Sequence, residues 1–366
     1  MNTSRNLTAN ISVKSTLLRF LSLIVLIAPA VLFATPQPAV VRIATFEYID
    51  KGEVKVGGNS YYGHVIQEKW LGSELAKRGI KLEWVPISGD DTGPVINEDF
   101  ASKRVDFATY GDLPSIILNA SGVHTRVIVP NGHGTDVYLM VPLNSTARSL
   151  RDLEGKRISV HRSRPWELSM IKLFAAEGLD ARDFHIINMQ PQAGAAALAS
   201  GNVDGLFVLQ AYSLEDKKIG KIIWSSRELP LAKMRAELWG ADDFVQKYPE
   251  VTQLVATAFV RAQYWASQEQ NRGSVILDGT RNGTPLSVVR RNVEDPKMPW
   301  KDRFSPLFDG LLRAQYQNDL DIAQSKGLIR RKPSLDELID TRFAAAAIKQ
   351  LGLQNYWMQW RADGAH

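Results

Sequence analysis

The sequence predicts an α/β protein of two lobes with a hinge between them and a helical C-terminal region. Three observations carry this. Strand and helix patterns alternate from Val40 to about residue 142, a second strand–helix series opens at Ser149, and only helix patterns remain after Asp242. Strands separated by helical stretches need crossovers, the signature of parallel sheet. A chain of 366 residues has a prior of two domains and is long enough for two cores.

Val40–Phe46 reads as a buried strand, followed by a Gly-rich loop to Ser60. A helix is predicted over 61–77, ended by Gly79, where a left-handed residue is needed. Lys81–Ile87 alternates with period two and is a strand. Segments 105–109, 126–130 and 137–141 are further short strands. Residues 149–160 hold a short helix, a glycine stop and a strand. Helix 166–177, strand 184–189, helix 192–200 and strand 204–209 follow. Helices are predicted at 242–270, 284–293, 304–326 and 334–350. Thr284 precedes a first-turn proline, Pro285. Ser334 and Glu337 have capping-box spacing. Lobe 1 then takes 35–140 plus 226–366 and lobe 2 takes 141–225. Segments near 138–143 and 222–228 join them, leaving a cleft that closes on a ligand.

Apolar residues at 45% and charged residues at 23% exclude a largely disordered chain and a polytopic membrane protein. The absence of cysteine excludes disulfides, thiolate zinc sites and thiol nucleophiles. The net charge of +5 partly belongs to Arg5, Lys14 and Arg19, in a leader without acids, so no nucleic-acid partner is indicated. The apolar run Phe20–Ala34 is fifteen residues long. At the helical rise it reaches about 22 Å, short of a roughly 30 Å hydrocarbon core. Positive, apolar and small residues in that order describe a signal peptide over 1–34, cleaved near Ala34 or Ala30, and hence a periplasmic protein. An uncleaved anchor is the alternative.

Ligands in open α/β sheets bind beyond the carboxyl ends of the strands. The loops there include Ser88–Pro94, Tyr110–Ser115, Asn131–Asp136, His161–Trp166, Gln190–Gln192 and Gln210–Tyr212. Several run from a strand into a helix start, with Pro114 and Pro165 in the first turn, where free N–H groups attract anions. Arg162 and Arg164 add forked donors, and Ser88, Thr92, Ser115 and Ser163 add hydroxyls. The bland alternative is ordinary caps and solvated arginines. Glu47, Asp90, Asp91, Asp112 and Asp136 are solvated, or face a cationic part of the ligand. Six histidines form no metal pair at helical spacing. His133, between two glycines, is expected in an exposed loop. No GxSxG, GxGxxG or Walker loop is present, so no enzyme is expected.

Residues 40–350 resemble the periplasmic solute-binding proteins of ABC importers for aliphatic sulfonates, taurine and nitrate, which have a type 2 periplasmic binding protein fold. The resemblance rests on Trp84–Gly89, Arg104–Pro114, Ser149–Val160 and Ala195–Gly205. It implies capture of a small organic anion, most directly a sulfonate or taurine-like compound, and delivery to an ABC permease with its ATPase. A monomer without metal or cofactor is expected. The site residues it implies are Ser88, the Gly111–Asp112 backbone, Ser115, Arg162, Ser163, Arg164, Gln190 and Gln210, with Tyr61, Trp166 and Tyr212 against an organic tail. An acidic residue such as Asp112 or Asp136 would meet an amine. The chain departs from the family at Leu209-Gln210-Ala211, where many sulfonate binders carry Trp-Asp-Pro, and has extra residues at 49–60 and 270–302. The alternatives are a sensory binding protein and an enzyme of the desulfinase or thiamine-precursor type, for which the reactive cysteine is missing.

Overall fold

The computed structural model describes residues 36–50, 53–56, 61–87, 92–294 and 297–365. The segment 1–34, expected to be a signal peptide, Ser88, Asp90, Asp91 and loop residues 51–52 and 57–60 lie outside them. Eleven strands form among the described residues: β1 Val40–Asp50, β2 Glu53–Val56, β3 Lys81–Ile87, β4 Phe107–Gly111, β5 Thr125–Val129, β6 Tyr138–Val141, β7 Arg157–Val160, β8 His185–Asn188, β9 Gly205–Val208, β10 Lys221–Ser225 and β11 Ala236–Ala241.

In the first sheet β1 runs parallel to β3 and β4, and β11 lies antiparallel between β4 and β5. The end of β1 pairs antiparallel with β2, so part of the expected Gly-rich loop is a hairpin. The second sheet has the order β10-β6-β9-β7-β8. There β7 is parallel to β8 and β9, whereas β6 is antiparallel to β9 and β10. Both sheets are therefore mixed. Of the strands expected in parallel sheet, β1 pairs parallel with β3 and β4, and β7 with β8 and β9, whereas β5 and β6 pair with other strands only antiparallel, beside the first place where the chain crosses between the sheets.

The crossings are residues 130–137 and 226–235. The segments near 138–143 and 222–228 expected to join the lobes instead hold β6 and most of β10, which belong to the second sheet. The crossings are bonded to each other: Thr135 and Met234 exchange N–H···O bonds of 2.8 and 3.1 Å, and Ser226 Oγ accepts from the Val137 N–H at 2.9 Å.

Helix boundaries move where one residue breaks the pattern. The expected helix 61–77 divides into Tyr61–Glu68 and Trp70–Ala76 at Lys69, with φ of 59°. Region 242–270 divides into Asp242–Lys247 and Pro249–Ser267, because Pro249 lacks an N–H and holds Tyr248 out of the helical region. Pro285 is not in the first turn; it precedes helix Leu286–Val293 with ψ of 142°. Ser334 and Glu337 do form the capping box, on the single turn Leu335–Leu338.

Helix Pro249–Ser267 turns Val251, Val255, Ala258 and Ala262 onto Val41, Ile43, Phe107, Ile128 and Leu238 of the first sheet. The second sheet packs Leu139, Ile158, Val160 and Phe207 with Phe174 of helix Pro165–Ala176. Full burial of one such side chain contributes about 1.5–3 kcal/mol. A buried ion pair links the lobes on one edge: Lys172 of helix Pro165–Ala176 meets Asp319 of helix Gly310–Ser325, and donates to Leu231 O at 2.7 Å. Burial raises the Asp319 carboxyl, and Lys172 opposes that rise.

Asp106, just before β4, accepts the Arg42 N–H at 2.7 Å. Burial pushes its carboxyl up to about 6, against the pull of Arg42. A raised carboxyl binds a proton in the native state that the unfolded chain has already lost. Its contribution to stability is thus present at low pH and fades as pH rises towards 6. Asp106→Asn is expected to remove that slope from urea titrations between pH 4 and 6. A carboxyl titration of Asp106 by NMR with a midpoint near 4 would contradict this.

Candidate functional site

A cavity of about 440 Å³ lies between the lobes, within the usual range for small-molecule sites of roughly 300–1,000 Å³. Its first wall is the crossing itself, through Asn131, Gly134, Thr135 and Asp136. Asn131 is pinned: its N–H donates to the Glu237 carboxylate and its side-chain amide to Ala236 O at 3.0 Å. Gly132 has φ of 59°, and a Cβ there would sit 1.9 Å from Arg303 O. No other residue fits this close approach. Gly132 N–H donates to Ser305 O at 2.9 Å, so the turn Trp300–Phe304 docks here and carries Arg303 to the cavity. Trp300 Nε1 anchors the same turn on Ala266 O at 3.0 Å.

Asp136 is buried, accepting from Arg227 Nε at 2.5 Å and from Lys233 Nζ at 3.0 Å. Burial works to raise its carboxyl, but Lys233 and Arg227 outweigh this and hold it below the ordinary value. It is therefore an anion with two cationic partners already in place. Asp136 and Arg303 are the charged residues of the lining.

The second lobe contributes Tyr138, Leu209, Gln210 and Ser213. The remaining wall comes from 275–293, with Val275, Val288, Val289 and Val293 facing the cavity beside Tyr61 and Phe304. This segment roofs the cleft. On the first-lobe side, Ile276 and Val289 pack with Trp300. On the other side, Arg291 pairs with Glu215, donates to Asp216 at 2.9 Å, and lies 4.1 Å over the Tyr212 ring. Arg227 Nη2 donates to Arg291 O and Asn292 O at 2.9 and 3.3 Å, tying the second crossing to the roof. One side of the cavity is thus apolar, and the other offers Arg303, amides and hydroxyls.

Of the residues the sequence singles out, Tyr61, Asp136 and Gln210 line this cavity. Gly111 and Arg164 lie instead where the lobes touch, while Asp112, Ser115 and Trp166 are buried and Ser163 is exposed. A Cβ on Gly111 would lie 2.2 Å from Pro165 Cγ, so strand end and helix start are in direct contact. Arg164 reaches across to Thr92 Oγ1 at 3.1 Å and lies 5.3 Å over the Trp166 ring. Asp112 is buried and accepts from the Leu113 and Arg235 N–H groups, both at 2.6 Å. Burial and the neighbouring Asp319 push its carboxyl well up. Ser115 Oγ donates to Asp112 O. Arg162 is exposed, 3.8 Å from Glu167. Gln190 stands at the N-cap position of helix Pro191–Ala199, and Tyr212 lies under Arg291 and against Tyr138. Ser88 is outside the described residues. His133 is not an exposed loop residue: it is buried and stacked on Trp360 at 4.2 Å. Arg303 and the valines of the roof carry no motif; the extra residues at 270–302 were their one signal.

Two α/β lobes joined by two bonded crossings, with a ligand-sized cavity between them, define the class of two-lobed solute-binding proteins. The model of the NMT1-like family matches residues 74–277. A putative aliphatic sulfonates-binding protein of Bacillus subtilis (strain 168) is 25% identical over 292 residues, covering 78% of this chain and 84% of that protein. The taurine-binding periplasmic protein of Escherichia coli (strain K12) is 26% identical over 233 residues, covering 58% and 69%. Among solved structures, a putative sulfonate ABC transporter periplasmic sulfonate-binding protein from Methylobacillus flagellatus KT superposes with a TM-score of 0.79. It is 42% identical, over 88% of this chain and 97% of that one. The chain belongs to the NMT1-like family, among the periplasmic-type solute-binding proteins of ABC importers.

Proposed function

We propose that this chain is exported on its 1–34 segment, works as a periplasmic monomer, and captures a small organic anion for an ABC permease and its ATPase. A sulfonate or taurine-like compound is the leading ligand class, and the protein returns it unchanged. The lobes divide at the crossings, near 130–137 and 226–235. One observation supports this most: the cavity sets Arg303 among amide and hydroxyl donors against a wall of valines, and the one carboxylate among the described residues of its lining, Asp136, is already paired with Arg227 and Lys233. A sulfonate has no proton to donate and is satisfied by donors alone. Its organic part gains from the apolar wall. The similarity to sulfonate- and taurine-binding proteins points the same way.

Thermal unfolding of residues 35–366 against alkanesulfonates, taurine, aryl sulfonates, carboxylates and nitrate tests the reading. A ligand at 1,000 times its dissociation constant adds about 4 kcal/mol and raises the melting temperature by several degrees. No shift from any of them, after unfolding and refolding to strip retained ligand, would sink the sulfonate reading.

The roof supplies a second test. Its grip on the second lobe is one exposed ion-pair set plus one cation–π contact at Arg291. Arg291→Ala is expected to speed release of a bound alkanesulfonate about tenfold, mostly through the off-rate. Stopped-flow release at an unchanged rate would show that the roof does not hold the closed cleft.

A further inference from the structure

The chain holds two Asn-Gly pairs, Asn131-Gly132 and Asn282-Gly283, and both asparagines line the cleft cavity. Their surroundings are opposite. Asn131 is pinned by its two bonds to β11, and Gly132 is buried against Arg303 O. Asn282 and Gly283 are exposed on the roof, between helices Arg272–Asp278 and Leu286–Val293. Gly283 has φ of 83°, and a Cβ on it would meet nothing within 4 Å beyond its chain neighbours. The Asn282 side chain turns back over its own peptide: Oδ1 accepts from the Thr284 N–H at 3.1 Å and from Thr284 Oγ1 at 2.7 Å. Two donors on one carbonyl oxygen stabilise negative charge that develops there. The Gly283 N–H donates to Thr280 O at 2.9 Å, a turn bond on an exposed segment that opens readily.

We propose that Asn282 is a self-modification site, which loses its amide as ammonia and so places a carboxylate in the wall of the cleft cavity. The Gly283 backbone nitrogen gives up its proton to hydroxide and attacks Cγ of Asn282, and Oδ1 takes the displaced electron pair. The tetrahedral carbon then expels Nδ2, which leaves as ammonia with a proton from water, and a cyclic imide remains. Water opens the ring at either carbonyl, giving aspartate or isoaspartate. The sum is amide plus water going to carboxyl plus ammonia, with nothing oxidised or reduced. Asn131 is held from the same reaction, because Gly132 has no room to move against Arg303. A sphere of about 440 Å³ is about 9 Å across, so a charge at 282 acts on a bound anion with little screening. The cleft thereby carries a slow chemical limit on its own use. That consequence rests on the reading of the cleft as an anion site; the chemistry does not.

The test is a timed incubation of residues 35–366 at mildly alkaline pH, with peptide mass spectrometry reading both pairs in the same sample. The mass gain of an amide turned to a carboxyl is expected at Asn282 at least about tenfold faster than at Asn131. In urea, where both pairs are released from the fold, the two rates are expected to converge. Asn282→Gln is expected to keep its mass. The proposal fails if Asn282 keeps its amide as long as Asn131 does, or if the difference persists in urea, since the fold would then not be its cause. Calorimetry with hexanesulfonate reads the consequence. Incubated protein is expected to bind about tenfold more weakly than fresh protein, as is Asn282→Asp. Incubated Asn282→Gln is expected to bind as it does when fresh. Equal binding by fresh and fully converted protein would overturn the effect on the cleft. If fresh protein does not bind hexanesulfonate, the sulfonate reading fails, and the masses still decide the modification.

Discussion

Arg235→Met is expected to destabilise the protein by about 3–5 kcal/mol, the usual cost of breaking a fully buried ion pair. Arg235 is completely buried on the second crossing, with Nε 2.5 Å from Glu237 and Nη1 3.2 Å from Gln315. Glu237 lies on β11 and accepts the Asn131 N–H, so the pair ties both crossings to the first sheet. Burial already raises the Glu237 carboxyl, with Arg235 the main opposing influence. Removing the arginine leaves that carboxylate unpaired in the core. Arg235→Met with Glu237→Leu is expected to recover most of the loss, because a buried pair replaced whole by apolar residues is often neutral. Urea midpoints of the single and double variants measure both. A single variant within 1 kcal/mol of the parent would mean that the pair contributes little to the hinge.

Arg303→Gln should leave the fold intact and weaken sulfonate binding about 10- to 100-fold, the worth of about 1.5–3 kcal/mol for a hydrogen bond to a charged group. The fold survives because Arg303 contributes to packing through its backbone. Its carbonyl rests on Gly132, and the turn is anchored by Trp300. Arg303 lines the cavity, and its side chain donates to Asn292 O at 3.4 Å and Met298 Sδ at 3.9 Å. Calorimetry with hexanesulfonate reads the loss. An unchanged dissociation constant would remove Arg303 as the anchor of the anion.

Much of the fold was legible because its strands are short apolar runs between turn signals. β3, β5, β7 and β9 fall within a residue or two of their expected places. β11 was not legible. Ala236–Ala241 carries Glu237 and Gly240, which break both the apolar run and the alternation, and Glu237 is tolerated only because Arg235 meets it. The break at Lys69 has no sequence signal, since lysine is a good helix former. The strand-end rule found the loops that face the other lobe but not which of them stay apart. Gly111 and Pro165 come into contact, and Arg164 spans the gap to Thr92. The cavity that remains is walled by residues far along the chain, 275–293 and 303–304, whose place over the cleft is set by tertiary packing on Trp300 and Tyr212.

The central claim is that the cleft cavity holds the anion, and a crystal structure of residues 35–366 grown with hexanesulfonate tests it most directly. The predicted result is a sulfonate within hydrogen-bond distance of Arg303 and the amides of Asn131 or Gln210, its chain along Val288 and Val289. A sulfonate seated instead between Gly111 and Arg164, with this cavity empty, would contradict the account and return the site to the strand-end loops.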